Sequence, residues 1–584
     1  MNLLNLESAK KYKIVIALII IYLFGVILYY CLGSYSKNLS FVPDERLYLQ
    51  AAKALANGDG ISYNGMSSTF QKIVYSIIIS PAFLVEDLHI QIRLVCLLGT
   101  MAEMTYIFPV YLISRRLNLD RTKSLLLSLL GLTFPTLLFS MTFMSETAFL
   151  PLWLWTIYLI TIMLESDQVK IAVPVILGVV SYLLYMCKEV GIVAIPAMVL
   201  AKLILIGKKK ETFKCLIPCV ISIVTFGVLY LLVRYLVFSG SSSSYSYAIT
   251  VPQMPETNNM NPLSFFLYAA FFYLSYTILV NNIFPLFVRS DKNELNSRLT
   301  MYLEIAIVML IFTVVYKIAL KEDFGLLSPR LHLRYLEPLF ISYFICFVSR
   351  IGDIDEEEPF SNKYLRWAFF IYLIVLFIIP GLNPGGILDS TTSTFYLIPN
   401  KAALRFFLGS PLKTTILTYV MKLMILIVVF FGLKLLKRNK KGFVITFVSV
   451  TLIINIVSTG LKYHDIRSGY ELSEKYVAEM QKINDEMESL PGRKLYIVRE
   501  ISRLNEIVIT YYDINNTDVY SALEDYNPSD EMVTLKAGNA TRDVSISDYD
   551  YIIYDSGIWE EREKEPFSAE NIILSTENFF VIKQ

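Results

Sequence analysis

The chain has 584 residues, of which 55% are apolar and 18% are charged, and it carries 37 Phe and 39 Tyr. A soluble domain carries about 25% charged residues. The composition therefore excludes an ordinary water-soluble enzyme, a disordered chain and a fibrous repeat, and it indicates a polytopic membrane protein. The net charge of +1 conceals a division, because residues 462–584 hold 25 acidic and 13 basic side chains while the preceding 461 hold 26 and 39. The body is basic and apolar, and the tail is acidic and more polar. An acidic surface is a usual route to solubility and calls for no nucleic-acid partner.

All six cysteines (Cys31, Cys96, Cys187, Cys215, Cys219 and Cys346) lie in or beside apolar runs, and the tail has none. This argues against a disulfide framework and a Cys-based zinc site.

An apolar run of about 20 residues crosses a bilayer as a helix. The first run, 14–32, follows Lys10, Lys11 and Lys13 and reads as a span or uncleaved anchor with its N-terminus in the cytoplasm. Residues 33–72 are polar and then fall outside. Residues 73–85 are apolar but too short for a span, and fit an interfacial or re-entrant segment. A span over 90–113 returns the chain to Arg115, Arg116, Arg121 and Lys123, in keeping with the positive-inside rule. Further spans are expected at 125–141, 148–164, 171–187, 190–206, 213–237, 263–288, 301–320, 336–348, 365–380, 416–433 and 443–460, about thirteen in all. An odd number leaves the tail outside. The expected fold is a polytopic α-helical membrane domain, 1–461, followed by a small extracytoplasmic α/β domain, 462–584. In the tail, 469–489 has helical periodicity, and 494–498, 507–511 and 551–554 read as strands.

The loop 33–89 is the most informative segment. It reads FVPDERLYLQAAKALANGDG, with Asp44 and Glu45 just after a proline, an amphipathic helix over 46–57 ended by Asn57-Gly58, and Lys72 at the start of the short apolar run. A further acid, Glu146, interrupts the apolar segment TFMSETAFLPLW, with Ser145 before it as a candidate helix N-cap. The segment SPRLHLRYLEPL supplies Arg330, His332, Arg334, Tyr335 and Glu337 just before a span. Carboxylates and cations on one external face suit a lipid-anchored sugar-phosphate donor. A carboxylate takes a proton from an attacking hydroxyl, and Lys or Arg stabilises a departing phosphate. Ordinary loop charges would give the same spacing.

The run PDERLYLQAA, then NGDG, then FQK before an apolar stretch, resembles the first loop of lipid-carrier-dependent glycosyltransferases of the GT-C superfamily, within the aminoarabinose transferase and protein O-mannosyltransferase-like group. SYLLYMCKEVGIVAIPAMVLA is similar to that group's helix pair with a polar break, and LRYLEPLF to its Arg-Tyr-x-x-Pro entry into a late span. The resemblance implies Asp44 as catalytic base supported by Glu45, Glu146 as second-loop acid, Lys72 and Arg334 as holders of the carrier phosphate, and Tyr335 as a lining residue, with Arg330 and His332 nearby. Two departures stand out: Ile73 follows Lys72 where the group commonly has Pro, and the second acid, often Asp, is Glu146.

The reaction implied is transfer of a monosaccharide from a polyprenyl-phosphate carrier to an extracytoplasmic glycan, lipid or protein acceptor at the cell membrane. No nucleotide sugar is called for, and no P-loop or G-x-G-x-x-G motif occurs. Asp44, Glu45 and Glu146 could together bind Mg²⁺ or Mn²⁺, but the resembling group mostly works without a metal. The competing classes are a flippase for lipid-linked sugars, which predicts ionisable groups near mid-membrane and related halves, and a non-catalytic assembly or sensor protein. Lys188-Glu189 reads as an outer turn between two spans.

Overall fold

The computed structural model describes residues 2–33, 43–63, 66–67, 72–85, 87–166, 169–238, 293–319 and 335–351, individual positions between 266 and 490, and residues 492–499, 518–522, 532–537, 540–555, 571–577 and 579–583. Arg330, His332 and Arg334, most of the spans expected at 263–288, 365–380 and 416–433, and the strand expected at 507–511 lie outside the described residues.

Among the described residues, six helices are long and apolar enough to cross a membrane, and Ile73–Leu84, Ala172–Cys187 and Pro338–Arg350 are shorter apolar helices. The chain is a polytopic α-helical membrane protein. Helix α1 (Asn2–Gly33) turns Val15, Ile16, Ile19, Ile20 and Phe24 outward. This exposed apolar face is what lipid requires of a peripheral span. Helix α2 (Pro43–Asn57) opens with proline at its first position, where no intrahelical N–H is needed. It therefore starts three residues before the amphipathic pattern and takes Asp44 and Glu45 into its first turn. Gly58, at φ +82°, ends it.

A two-residue hairpin (β1, Ser62–Tyr63; β2, Met66–Ser67) leads to helix α3 (Ile73–Ile79) and a 3-10 turn (Ser80–Leu84). The expected span 90–113 lies within one candidate span, His89–Arg116, that is kinked, and the span expected at 125–141 is broken. Residues 90–113 divide into α4 (Leu88–Met104) and α5 (Ile107–Arg116). Pro109 has no N–H to offer Thr105, whose carbonyl instead accepts from Phe108 at 3.2 Å. Residues 125–141 divide into α6 (Arg121–Gly131) and a 3-10 segment that starts at Pro135.

Helix α7 (Glu146–Glu165) is the hub of the bundle, with Phe149, Trp153, Leu154, Ile157, Ile160 and Leu164 all buried. Around it pack α4, α5, α8 (Ala172–Cys187), α9 (Ala194–Gly207), α11 (Glu294–Ala319) and α12 (Glu337–Ile351). Helix α10 (Leu216–Phe238) lies on α8 and exposes most of its apolar surface. The crossing of α8 and α10 is close. A Cβ on Gly178 would come within 2.7 Å of the Ser222 carbonyl oxygen.

The Arg- and Lys-rich ends of these helices are cross-tied. Arg298 on α11 donates to the Leu164 carbonyl at 2.9 Å and to Glu211 at 2.6 Å, and Lys202 meets the same Glu211 oxygen at 2.9 Å. Ser349 donates to the Leu117 carbonyl at 2.8 Å.

In the tail, β3 (Lys494–Arg499) lies parallel to both β4 (Asp518–Ala522) and β7 (Tyr551–Asp555). β9 (Phe579–Lys583) is antiparallel to β7 and β8 (Ile572–Ser575), giving the order β4-β3-β7-β9-β8. β5 (Met532–Ala537) and β6 (Ala540–Ser545) form a separate hairpin. Leu495, Ile552, Ile553, Val581 and Ile582 are buried in the sheet. The strands expected near 494 and 551 are present, and the described positions within 469–489 are helical.

Candidate active site

The site is assembled from the starts of three helices and one turn. Glu45, in the first turn of α2, is fully buried. Three residues on, Tyr48 donates its hydroxyl to Ser145 Oγ at 2.8 Å, and the Tyr48 carbonyl accepts from Ser76 of α3 at 2.9 Å. Tyr48 also meets Tyr75 edge-on, with ring centroids 5.6 Å apart. Ser145 stands at the N-cap position of α7 but makes no capping hydrogen bond; its hydroxyl serves Tyr48 instead. The acid-bearing helix α2 is thereby fixed against the start of α7, whose first residue is Glu146.

Glu146 is buried, and its carboxylate accepts from Lys188 Nζ. Lys188 is also buried. Its ammonium lies 4.5 Å from the centroid of the Tyr335 ring at the start of α12 and 5.9 Å from that of Phe149. An extended break at Lys188 (φ −151°, ψ 129°) ends α8 and opens a 3-10 turn, Glu189–Val193. The turn folds back tightly on α8, so a Cβ on Gly191 would sit 2.6 Å from Leu184 Cγ and 3.0 Å from the Leu184 carbonyl. Cys187 ties the same junction to α7 through its thiol and the Ser145 carbonyl, 3.3 Å apart.

Lys72 occupies the N-cap position of α3, as the sequence suggests. Its Nζ stands 3.9 Å from Glu189, with both side chains about one-third exposed. Such a solvated pair is weak and readily exchanged. The buried Lys188–Glu146 pair differs, because neither charge has water to fall back on.

Of the expected residues, the structure brings together Lys72, Glu146 and Tyr335 around the Lys188–Glu189 turn, with Glu45 on the helix tied to Ser145. Asp44 lies beside Glu45 in the first turn of α2. Helices α2 and α7 thus present their positive ends and first-turn acids to one region, the arrangement the helix dipole favours, while α3 starts there with Lys72 and no acid. Among the described residues no three His, Cys, Asp or Glu side chains are grouped as metal ligands.

The sequence reading placed Lys188-Glu189 at an outer turn without a site role, and it left a second feature unremarked. Lys188 and Glu189 do not pair with each other; each grips one of the expected site residues. A charged dipeptide between two apolar runs is the signal that marks them. The second is Glu103 on α4, midway along the apolar stretch His89–Arg116. It is fully buried, Ser140 lies beside its carboxyl group, and Glu146 acts on it electrostatically. A lone acid inside an apolar run is its signal.

No protein-family model and no curated protein matches the chain. Solved structures do. ArnT from Cupriavidus metallidurans bound to undecaprenyl phosphate aligns over 97% of both chains, with a TM-score of 0.54 at 12% identity. The same protein in the apo state aligns over 98% of both chains, with a TM-score of 0.54 at 11% identity. The fold is that of ArnT.

Proposed function

We propose that the chain is an inverting glycosyltransferase that moves a monosaccharide from a polyprenyl-phosphate carrier to an acceptor hydroxyl outside the cytoplasmic membrane. The reading is supported above all by one observation: in a chain with the ArnT fold, buried Glu146 and Lys188 meet at the junction where Lys72 and the acid-bearing start of α2 converge. ArnT itself was solved with undecaprenyl phosphate bound, and a carrier of that chemical class is proposed here.

In this reading Asp44 takes the proton of the acceptor hydroxyl. The acceptor oxygen bonds to the anomeric carbon from the side opposite the phosphate. The bond from that carbon to the phosphate oxygen breaks, and its electron pair leaves with the carrier phosphate. Lys72 and Arg334 stabilise that charge, and preorganised cations in a site shielded from water are the efficient way to do so. Glu45 supports Asp44, and Glu146 is the acid of the second loop. With the N-terminus in the cytoplasm, the site and the 462–584 domain lie outside. The acceptor is a cell-envelope glycan, lipid or protein.

The test is release of undecaprenyl phosphate from a panel of radiolabelled undecaprenyl-phosphate sugars by the purified chain in lipid. Release by the wild type and its loss in Asp44→Asn are expected. Absence of release from every donor, with and without envelope acceptors, contradicts the proposal.

A second reading, a flippase for lipid-linked sugars, draws on Glu103, because intramembrane acids mark translocation paths. The gathering of the other charges at one junction favours the transferase.

A further inference from the structure

The Lys188–Glu146 pair is an unusual expenditure for a structural contact. A buried ion pair often stabilises no better than apolar side chains of the same volume. Here, too, the lysine is delivered by a helix break that only glycine at 191 permits, and its ammonium rests against an aromatic ring. An ammonium has three donors, and Glu146 takes one of them. The Tyr335 ring, 4.5 Å away, supplies a partner that does not depend on Glu146.

Resting on the transferase reading, we infer that Lys188 is a further cation for the carrier phosphate beside Lys72 and Arg334, and that the phosphate and Glu146 compete for it. In the unliganded protein Lys188 is held by Glu146. When the carrier binds, its phosphate takes the Lys188 ammonium, which remains against Tyr335, and the Glu146 carboxylate is released into the site. Lys72 exchanges Glu189 for the same phosphate through its weaker, one-third-exposed pair. Donor binding therefore arms the second acid, and that acid stays neutralised while the site is empty.

The charge balance favours this order. The donor phosphate is a diester with one negative charge, whereas the released monoester carries roughly −1.5 to −2. Lys188 thus interacts more strongly as the carrier leaves, which is the differential contact that lowers a barrier.

The experiment is equilibrium binding of undecaprenyl phosphate to the full chain in nanodiscs, for wild type, Lys188→Met, Lys188→Arg, Glu146→Gln and Lys188→Met/Glu146→Gln. Loss of one charge-assisted contact weakens binding roughly ten-fold or more. Lys188→Met should show that loss, Lys188→Arg should retain binding within a few-fold, and Glu146→Gln should bind several-fold more tightly than wild type. The double variant should be as weak as Lys188→Met.

A double variant that returns to wild-type affinity overturns the inference, because the pair would then act only through net charge. Weaker binding by Glu146→Gln also overturns it, and that arm holds even if the Met variants do not fold. Wild-type protein that does not bind undecaprenyl phosphate removes the transferase reading itself. Wild-type binding matched by every variant removes only the role of Lys188.

Discussion

The Tyr48 hydroxyl donates to Ser145 Oγ at 2.8 Å across 97 residues of sequence. This bond holds the first turn of α2 against the first turn of α7. Tyr48→Phe removes the donor and leaves the Ser145 hydroxyl buried. The expected cost is about 1–3 kcal/mol of stability. Because Glu45 and Glu146 lose their common register, donor turnover should fall by roughly ten-fold or more. Thermal melting and radiolabelled donor release measure the two effects. Unchanged turnover would mean that the bond does not set the site.

Gly191 and Gly178 separate site geometry from bundle stability. A methyl at 191 collides with the Leu184 side chain and carbonyl, so Gly191→Ala must move the turn that carries Lys188 and Glu189. Its expected signature is weakened undecaprenyl phosphate binding. A methyl at 178 collides with the Ser222 carbonyl on α10, far along α8 from the site. Gly178→Ala should lower the melting temperature while carrier affinity stays at the wild-type value.

The Glu211 cluster ties the opposite end of the bundle. Glu211→Gln leaves buried Lys202 and partly buried Arg298 without their shared counter-charge. Breaking a buried pair from one side costs about 3–5 kcal/mol. The variant should unfold at lower temperature or lower denaturant, with carrier affinity unchanged in the fraction that folds.

Glu103 decides between the two functional readings. In the transferase, Glu103→Gln keeps the side-chain volume on α4, and donor release in detergent should stay within about two-fold of wild type, below the roughly ten-fold cost of a charge-assisted contact. In a flippase, movement of a labelled undecaprenyl-phosphate sugar across proteoliposomes should occur and should fail in Glu103→Gln. Both assays can be run on the same preparation.

The sequence made the charged residues at apolar boundaries legible. Lys72 and Glu146 stand where an unpaired charge would be costly beside lipid, and both stand at helix starts beside the Lys188–Glu189 turn. Lys188 was not legible as a site residue because its partner lies 42 residues away. Neither local periodicity nor the positive-inside rule reports a tertiary pair of that kind. Hydropathy also ran continuously through 90–113 and 125–141, yet the first is kinked within its span and the second breaks. Prolines 109 and 135 interrupt the hydrogen-bond ladder without lowering the apolar content that defines a span. Ser145 was placed correctly as an N-cap position, but its hydroxyl is used by Tyr48 of another helix, a role that only the packed fold reveals.

The most direct measurement is a cryo-EM structure of the full chain in nanodiscs with undecaprenyl phosphate. The account predicts phosphate density in contact with Lys72 and Lys188 beside the start of α2, with the Glu146 carboxylate withdrawn from Lys188. Phosphate bound instead at the Arg- and Lys-rich end near Arg115 and Arg121, with the Lys188–Glu146 pair intact, would contradict it.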